Sequence, residues 1–396
     1  MENKYDLIVI GCGFCGSVIA RLAADLGKRV LILERRNHIA GNMYDEYDEN
    51  GILIQKYGPH VFHTDEDWII NFISRFSEWD PFKLHYGVEL DERYIPAPFG
   101  YKAIDLLYSK EDADELKHLL KTNYPNQDSI PILDLMENSN EKIAEFSHML
   151  YEKNYKPYAA KQWSLAPEKL DRSVIGRMPV ILSDRTYYFD TKYEMIPRKG
   201  FTQFFQNMLC DPRIEIRLNT DASSVLSFDV TAGNCIMAGE KVTAPVVYTG
   251  PLEELFPDQK MTLPYRSLYF DYKTFEKSSY QPMTLVTYPT THDYIRTTEF
   301  IKLMPNKPNV NKTVVAFEYS VPYNREADCG NEPYYPILTE ENIAKNDSCN
   351  QKLKNIENVF PCGRLADYKY YNMDQVIIRA FDVFFEIRKK YWQEYS

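Results

Sequence analysis

The stretch Leu7-Ile-Val-Ile-Gly-Cys-Gly-Phe-Cys-Gly16 decides the fold class of this chain. Four apolar residues run into Gly11-x-Gly13-x-x-Gly16, and a helix-like segment, Ser17 to Leu26, follows. In such a unit the first glycine permits a tight turn and the second lets backbone approach a diphosphate. The third lets helix pack on strand, with the helix N-terminus facing the phosphates. A second apolar run, Arg29 to Leu33, ends in Glu34, roughly 20 residues beyond the loop, where a carboxylate meets the ribose of a dinucleotide. The glycines alone are a weak signal. Strand, loop, helix, strand and terminal acid in that order point to a dinucleotide site.

The 396 residues are 44% hydrophobic and 14% aromatic, enough for a large core spread over two or three domains. No apolar run is long enough to cross a bilayer, and the N-terminus enters the first strand without a signal-peptide pattern. The expectation is a soluble, cytoplasmic protein with no membrane partner. A net charge of −11 argues against nucleic acid as well, so any anionic ligand must be met by a local arginine cluster. The seven cysteines are odd in number and scattered, which argues against a disulfide framework. Cys12 and Cys15 form C-x-x-C, but inside the glycine loop they read as small residues tolerated near a cofactor.

The first 80 residues alternate strand and helix patterns, and the aromatic stretch Tyr86 to Tyr101, with Pro96 and Pro98, breaks that rhythm. From Ile104 to about Gln162 apolar residues recur at helical spacing. Runs such as Arg213 to Leu218, Lys241 to Tyr248 and Thr313 to Tyr319 read as strands, several of them suited to a half-buried antiparallel sheet. Met373 to Trp392 is helical. The chain is expected to leave the nucleotide domain and return to it more than once.

Motifs far apart in the chain carry a family resemblance. Gly58-Pro-His-Val-Phe-His-Thr64, Ala160-Lys-Gln-Trp163, Ile196-Pro197, Tyr248-Thr-Gly-Pro251, Glu332-Pro-Tyr-Tyr-Pro336 and Gly363-Arg-Leu-Ala-Asp-Tyr-Lys-Tyr-Tyr371 occur here. In order and spacing they resemble the prokaryotic UDP-galactopyranose mutases over nearly the whole chain. Glu34-Arg-Arg-Asn-His38, followed by Gly41-Asn42, is similar to that family's flavin-binding segment. The resemblance implies an α/β fold in which an FAD-binding Rossmann-like domain carries a helical insert and an antiparallel sheet domain. The expected divisions are 1–80 with 195–250 and 335–396 for FAD, 101–165 for the helices, and 81–100 with 166–194 and 251–334 for the substrate sheet.

It also implies an isomerase that interconverts UDP-galactopyranose and UDP-galactofuranose through a covalent adduct of the sugar's anomeric carbon with N5 of reduced FAD. An external reductant such as NAD(P)H or a reductase, a homodimer and a role in supplying furanose sugars to surface glycans belong to the same expectation. For FAD the resemblance nominates Gly11, Gly13, Phe14, Gly16, Glu34, Arg35, Asn42, His60, Val61, Arg364, Tyr371, Asn372, Met373, Gln375 and Val376. The last helix would aim its N-terminus at the flavin, with Asn372 as N-cap. For the nucleoside-diphosphate sugar it nominates Tyr158, Trp163, Arg177, Tyr188, Phe189, Arg296, Tyr319 and Tyr370. Arg177 and Arg296 suit a diphosphate because guanidinium stays charged and offers a fork of donors. Ser164 to Arg177 resembles an active-site lid. Arg177, Arg296, His60 and His63 are the catalytic candidates; two histidines at this spacing without an acid or cysteine partner make no metal site, and none is expected.

Departures from the family pattern concentrate at the sugar end: Pro96 and Val286 replace asparagines, while Asn154, Ala159 and Asn372 replace an aromatic, a threonine and an acid. Loss of amides there raises dTDP-fucopyranose or UDP-GalNAc as alternative substrates. A redox flavoenzyme of the amine oxidase type shares the opening fold and stays open, though it would not need two arginines and several tyrosines at an anion. A flavin-binding protein without catalysis is disfavoured by the same set.

Overall fold

The computed structural model describes residues 4–164, 178–256, 262–327 and 329–392. Arg177 and the lid expected around it lie outside the described residues.

The strand Leu7–Ile10 is the centre of a five-stranded parallel sheet in the order Ile214–Arg217, Val30–Leu33, Leu7–Ile10, Val246–Tyr248, Val359–Pro361. Every side chain of its first two strands is buried, because layers cover both faces. Leu7, Val9, Val30 and Ile32 share a core with the helices Phe14–Asp25 and Met373–Tyr391. Ile8, Ile10, Leu31 and Leu33 face the other way, toward the antiparallel strands Leu226–Asp229, Asn234–Met237 and Glu240–Lys241. One continuous apolar run therefore serves two cores through the two-residue alternation of the strand. The Rossmann-like α/β expectation holds.

Residues 101–163 are largely helical. Ser109 and Asn140 cap Lys110–Asn123 and Glu141–Leu150 by accepting from the backbone N–H groups of Asp112 and Ile143. Ala113, Leu116 and Leu120 bury one face of the first of these. A π-helical turn, Tyr151–Tyr155, joins Glu141–Leu150 to Lys156–Trp163.

The second large sheet has seven strands in the order Tyr335–Pro336, Tyr265–Phe275, Thr313–Pro322, Arg296–Glu299, Leu285–Thr287, Tyr86–Leu90, Arg93–Ala97. It is not wholly antiparallel as expected: Leu285–Thr287 pairs parallel to Tyr86–Leu90. These two strands are joined by a long excursion through the helices and the first sheet, so no hairpin imposes an antiparallel pairing.

Register decides which residues can meet. Arg296 lies opposite Glu318 and Thr287, and Glu318 opposite Phe270, so these side chains share one face. Val286, Thr297, Phe317, Tyr319 and Tyr269 alternate with them onto the other face.

Candidate active site

A cavity of about 830 Å³ runs from the glycine loop to the face of the second sheet that carries Arg296. Its size falls within the range of small-molecule and cofactor sites. At the loop the three glycines do three different things. Gly11 has φ +98°, a left-handed value, and a Cβ there would lie 2.1 Å from Thr249 Oγ1. A Cβ on Gly16 would lie 2.0 Å from the Gly11 carbonyl oxygen, so the helix can pack this closely only without one. At Gly13 a Cβ meets nothing nearer than Gly41 Cα at 4.0 Å, and the space beside it is cavity. The N-terminus of the helix Phe14–Asp25 therefore presents bare backbone to whatever fills that space.

Glu34, buried at the end of its strand, accepts from the backbone N–H of Cys12 at 2.7 Å and of Arg36 at 2.9 Å. These bonds hold its carboxylate at the loop, where a ribose would meet it. An open cradle at Gly13, a helix N-terminus and a fixed carboxylate fit the adenosine diphosphate half of FAD. Phe14, Arg35, Asn42, His60, Arg364, Tyr371, Met373 and Val376 line the same cavity, as expected of cofactor residues. Arg364 bonds the Tyr371 carbonyl at 2.6 Å and lies over the ring of Tyr370.

Asn372 and Gln375 do not line the cavity. They form the capping box of Met373–Tyr391, with the Gln375 side chain accepting from the Asn372 N–H at 2.9 Å. Their part is to fix the helix end that brings Met373 and Val376 to the cavity wall. Val61 is also off the wall: its side chain turns into the core that contains Leu84, Tyr86 and Val88.

His60 lines the cavity, and its backbone is held at both polar groups. The Gln55 side chain accepts from the His60 N–H and donates to the His60 carbonyl at 3.2 Å. The ring Nδ1 is buried with no hydrogen-bond partner. Burial, with Arg364 and Arg296 nearby, lowers the imidazole to about 3, so the ring is neutral. His63 differs: on the strand Phe62–Thr64 its ring stacks on Phe189 at 3.8 Å, away from the cavity wall. Of these two candidates, His60 reaches the cavity and His63 does not. Among the described residues no group of three or more His, Cys, Asp or Glu could hold a metal ion.

At the far end Arg296 lines the cavity and turns its Nε and Nη2 to Glu318, at 2.6 to 3.0 Å. Burial works against its charge, but the Glu318 carboxylate beside it raises the guanidinium well above its ordinary value. Tyrosines surround this pair. Tyr335 lies parallel to Tyr370 with centroids 5.2 Å apart, and Trp163 closes on Tyr335 at 6.0 Å. Half-buried Tyr158 belongs to the same group, and Tyr188 packs edge-on against Tyr86 at 5.1 Å.

Tyr319 is a correction. It lies on the opposite face of the sheet, packed against Tyr269 and Tyr294, because it directly follows Glu318 in a strand. Tyr335, in the Glu332-Pro-Tyr-Tyr-Pro336 motif that was visible but not assigned a role, lines the cavity with Arg296. Glu318 was missed as well; its signal was a lone acid in the apolar strand Thr313–Pro322. Val286 and Pro96 also lie on the far face, where Met283 covers Gly87 between them, and neither lines the cavity. Asn154 is buried among the helices, and Ala159 packs against Trp163.

The fold and cavity define a dinucleotide-binding α/β protein with an arginine and tyrosine cluster facing its cofactor site. Comparison with known proteins supplies the family. Residues 9–76 match the profile of the NAD(P)-binding Rossmann-like domain, and residues 153–370 match that of UDP-galactopyranose mutase. UDP-galactopyranose mutase of Mycoplasma pneumoniae is 32% identical over 381 residues, covering 96% of this chain and 95% of the relative. dTDP-fucopyranose mutase of Escherichia coli is 29% identical over 384 residues, covering 95% and 96%. A crystal structure of reduced UDP-galactopyranose mutase shares the fold, with a TM-score of 0.71 at 16% identity over 98% of this chain and 97% of that one. The chain belongs to the UDP-galactopyranose mutase family of isomerases. No helix among the described residues is long and apolar enough to cross a membrane.

Proposed function

We propose that this protein interconverts UDP-galactopyranose and UDP-galactofuranose with reduced FAD as cofactor. The observation that carries the reading is one cavity joining two kinds of site. At one end stand the Gly13 cradle and Glu34; at the other stand Arg296 and Tyr335, with Tyr158 near the guanidinium and Tyr370 stacked on Tyr335. When bound and reduced, FAD supplies a nucleophilic nitrogen, N5, to the anomeric carbon of the sugar. The remaining work falls to the chain. Arg296 offers a fixed positive charge to the diphosphate as it departs and returns. Glu318 holds that guanidinium in plane, and the tyrosine hydroxyls complete the anion's hydrogen bonds. Neutral His60 adds no second cation to the cavity, so it does not compete for the diphosphate.

An anion clamp of this kind supports a nucleotide sugar over the amine of an oxidase. The reading includes an external electron donor, NAD(P)H or a reductase, and a homodimer. UDP-galactose takes precedence over dTDP-fucose and UDP-GalNAc because Pro96 and Val286, the residues that raised those sugars, do not line the cavity. The test is anaerobic turnover of dithionite-reduced protein with UDP-galactofuranose, UDP-GalNAc-furanose and dTDP-fucofuranose. UDP-galactofuranose is expected to convert fastest. Faster turnover of another sugar overturns the substrate, and acceptor consumption on every turnover overturns the isomerase.

A further inference from the structure

The connection between the strands Thr313–Pro322 and Tyr335–Pro336 carries two charged residues of opposite sign that reach across to the nucleotide-binding layer. Arg325 bonds Asp221 at 2.5 Å and Glu254 at 3.0 Å. Glu332 bonds Arg35 at 2.9 Å and Arg36 Nε at 3.1 Å, with a further, shorter contact to Arg36 Nη2. All six of these residues line the cavity. Their partners in the nucleotide layer sit together beside the ribose carboxylate. Arg35 and Arg36 directly follow Glu34, and Thr220, next to Asp221, donates its N–H to the Glu34 carbonyl at 2.9 Å.

The ends of the connection are themselves held. Ser267 Oγ donates to the Glu332 carbonyl at 2.6 Å, and Arg36 is fixed further by Asn42 at 2.9 Å and by lying over the Tyr57 ring. The signs are complementary in one register only: a base meets two acids at one end and an acid meets two bases at the other, so a shifted docking would bring like charges together.

We propose that Arg325 and Glu332 form a two-ended ionic clasp that closes over the adenosine half of FAD and retains it. They act as positioning residues for the cofactor from the substrate-binding sheet. The inference rests on the FAD reading above. It assigns cofactor retention to residues far in sequence from the glycine loop.

The experiment follows flavin fluorescence after holoenzyme is diluted into flavin-free buffer, for wild type, Arg325→Gln and Glu332→Gln, at low and high salt. Glu332→Gln, whose partners are the less exposed, is expected to release FAD roughly tenfold faster than wild type, and Arg325→Gln several-fold faster. High salt should speed wild-type release and have a smaller effect on the variants. Arg325 is partly exposed, so its variant tests the clasp even if Glu332→Gln folds poorly. Wild-type release rates in both variants overturn the clasp while leaving the FAD reading intact. A wild-type protein that takes up no FAD overturns the reading and the clasp with it.

Discussion

Gly13→Ala separates the demands of the fold from those of the ligand. Gly13 is the N-cap of the first helix, at φ −82° and ψ −167°, a conformation open to alanine. A methyl there meets nothing nearer than 4.0 Å, so the apoprotein should lose only the cap preference, about 0.5–1 kcal/mol. The same methyl occupies the space through which a diphosphate would approach the backbone. Displacing it forfeits one or two charge-assisted hydrogen bonds of about 1.5–3 kcal/mol each. FAD binding should weaken roughly tenfold at the least and 100-fold or more if both bonds are lost. Gly16→Ala is the contrast: its Cβ would stand 2.0 Å from the Gly11 carbonyl oxygen and 2.8 Å from Val9 Cγ1. That overlap lies inside the fold and should destabilise the apoprotein itself by about 1–3 kcal/mol or more. Urea midpoints of the two apoproteins and FAD titrations by fluorescence quenching measure both quantities. Wild-type FAD affinity in Gly13→Ala would refute the cradle, as would an apoprotein as unstable as Gly16→Ala.

Arg296→Lys keeps a positive charge but loses the fork shared between Glu318 and the cavity. It should retain its flavin, measured by absorbance per protein, while kcat/KM in the anaerobic assay falls about 100-fold; loss of flavin instead would assign Arg296 to the cofactor. His60 has a folded pKa of about 3 against the usual 6.5, so the unfolded chain binds the extra proton between those values. The stability held by the neutral ring is therefore full above pH 6.5 and is lost as pH falls toward 3, amounting to about 2 kcal/mol between pH 8 and pH 5. Unfolding of wild type and His60→Gln at the two pH values should show wild type losing that much more, and equal losses would mean the ring is not buried neutral.

The cofactor half of the site was legible because its information is local. Gly11, Gly13, Gly16 and Glu34 lie within one strand–helix–strand unit, where turn, close approach and helix packing each demand a particular residue at a particular spacing. The Asn372 cap was legible for the same reason, since a capping box spans four residues. The substrate half depends on strand register in a sheet whose members come from residues 86 to 336. Motif matching brought Tyr319 to the diphosphate, but a side chain one residue from Glu318 in a strand must point the other way.

The same parity placed Val286 and Pro96 on the face away from the cavity, and Tyr335 came in from the strand at the sheet edge. Sequence alone determined the dinucleotide fold, the glycine cradle and the family, because these rest on short-range geometry and ordered motifs. Only the tertiary structure decided that Arg296 is held by Glu318, that Gln55 pins His60, and that Glu332 reaches Arg35 and Arg36. The Arg296 and Glu332 pairings join segments brought together by long-range packing, and the Gln55–His60 pairing depends on how one short loop closes, so no spacing rule encodes any of them.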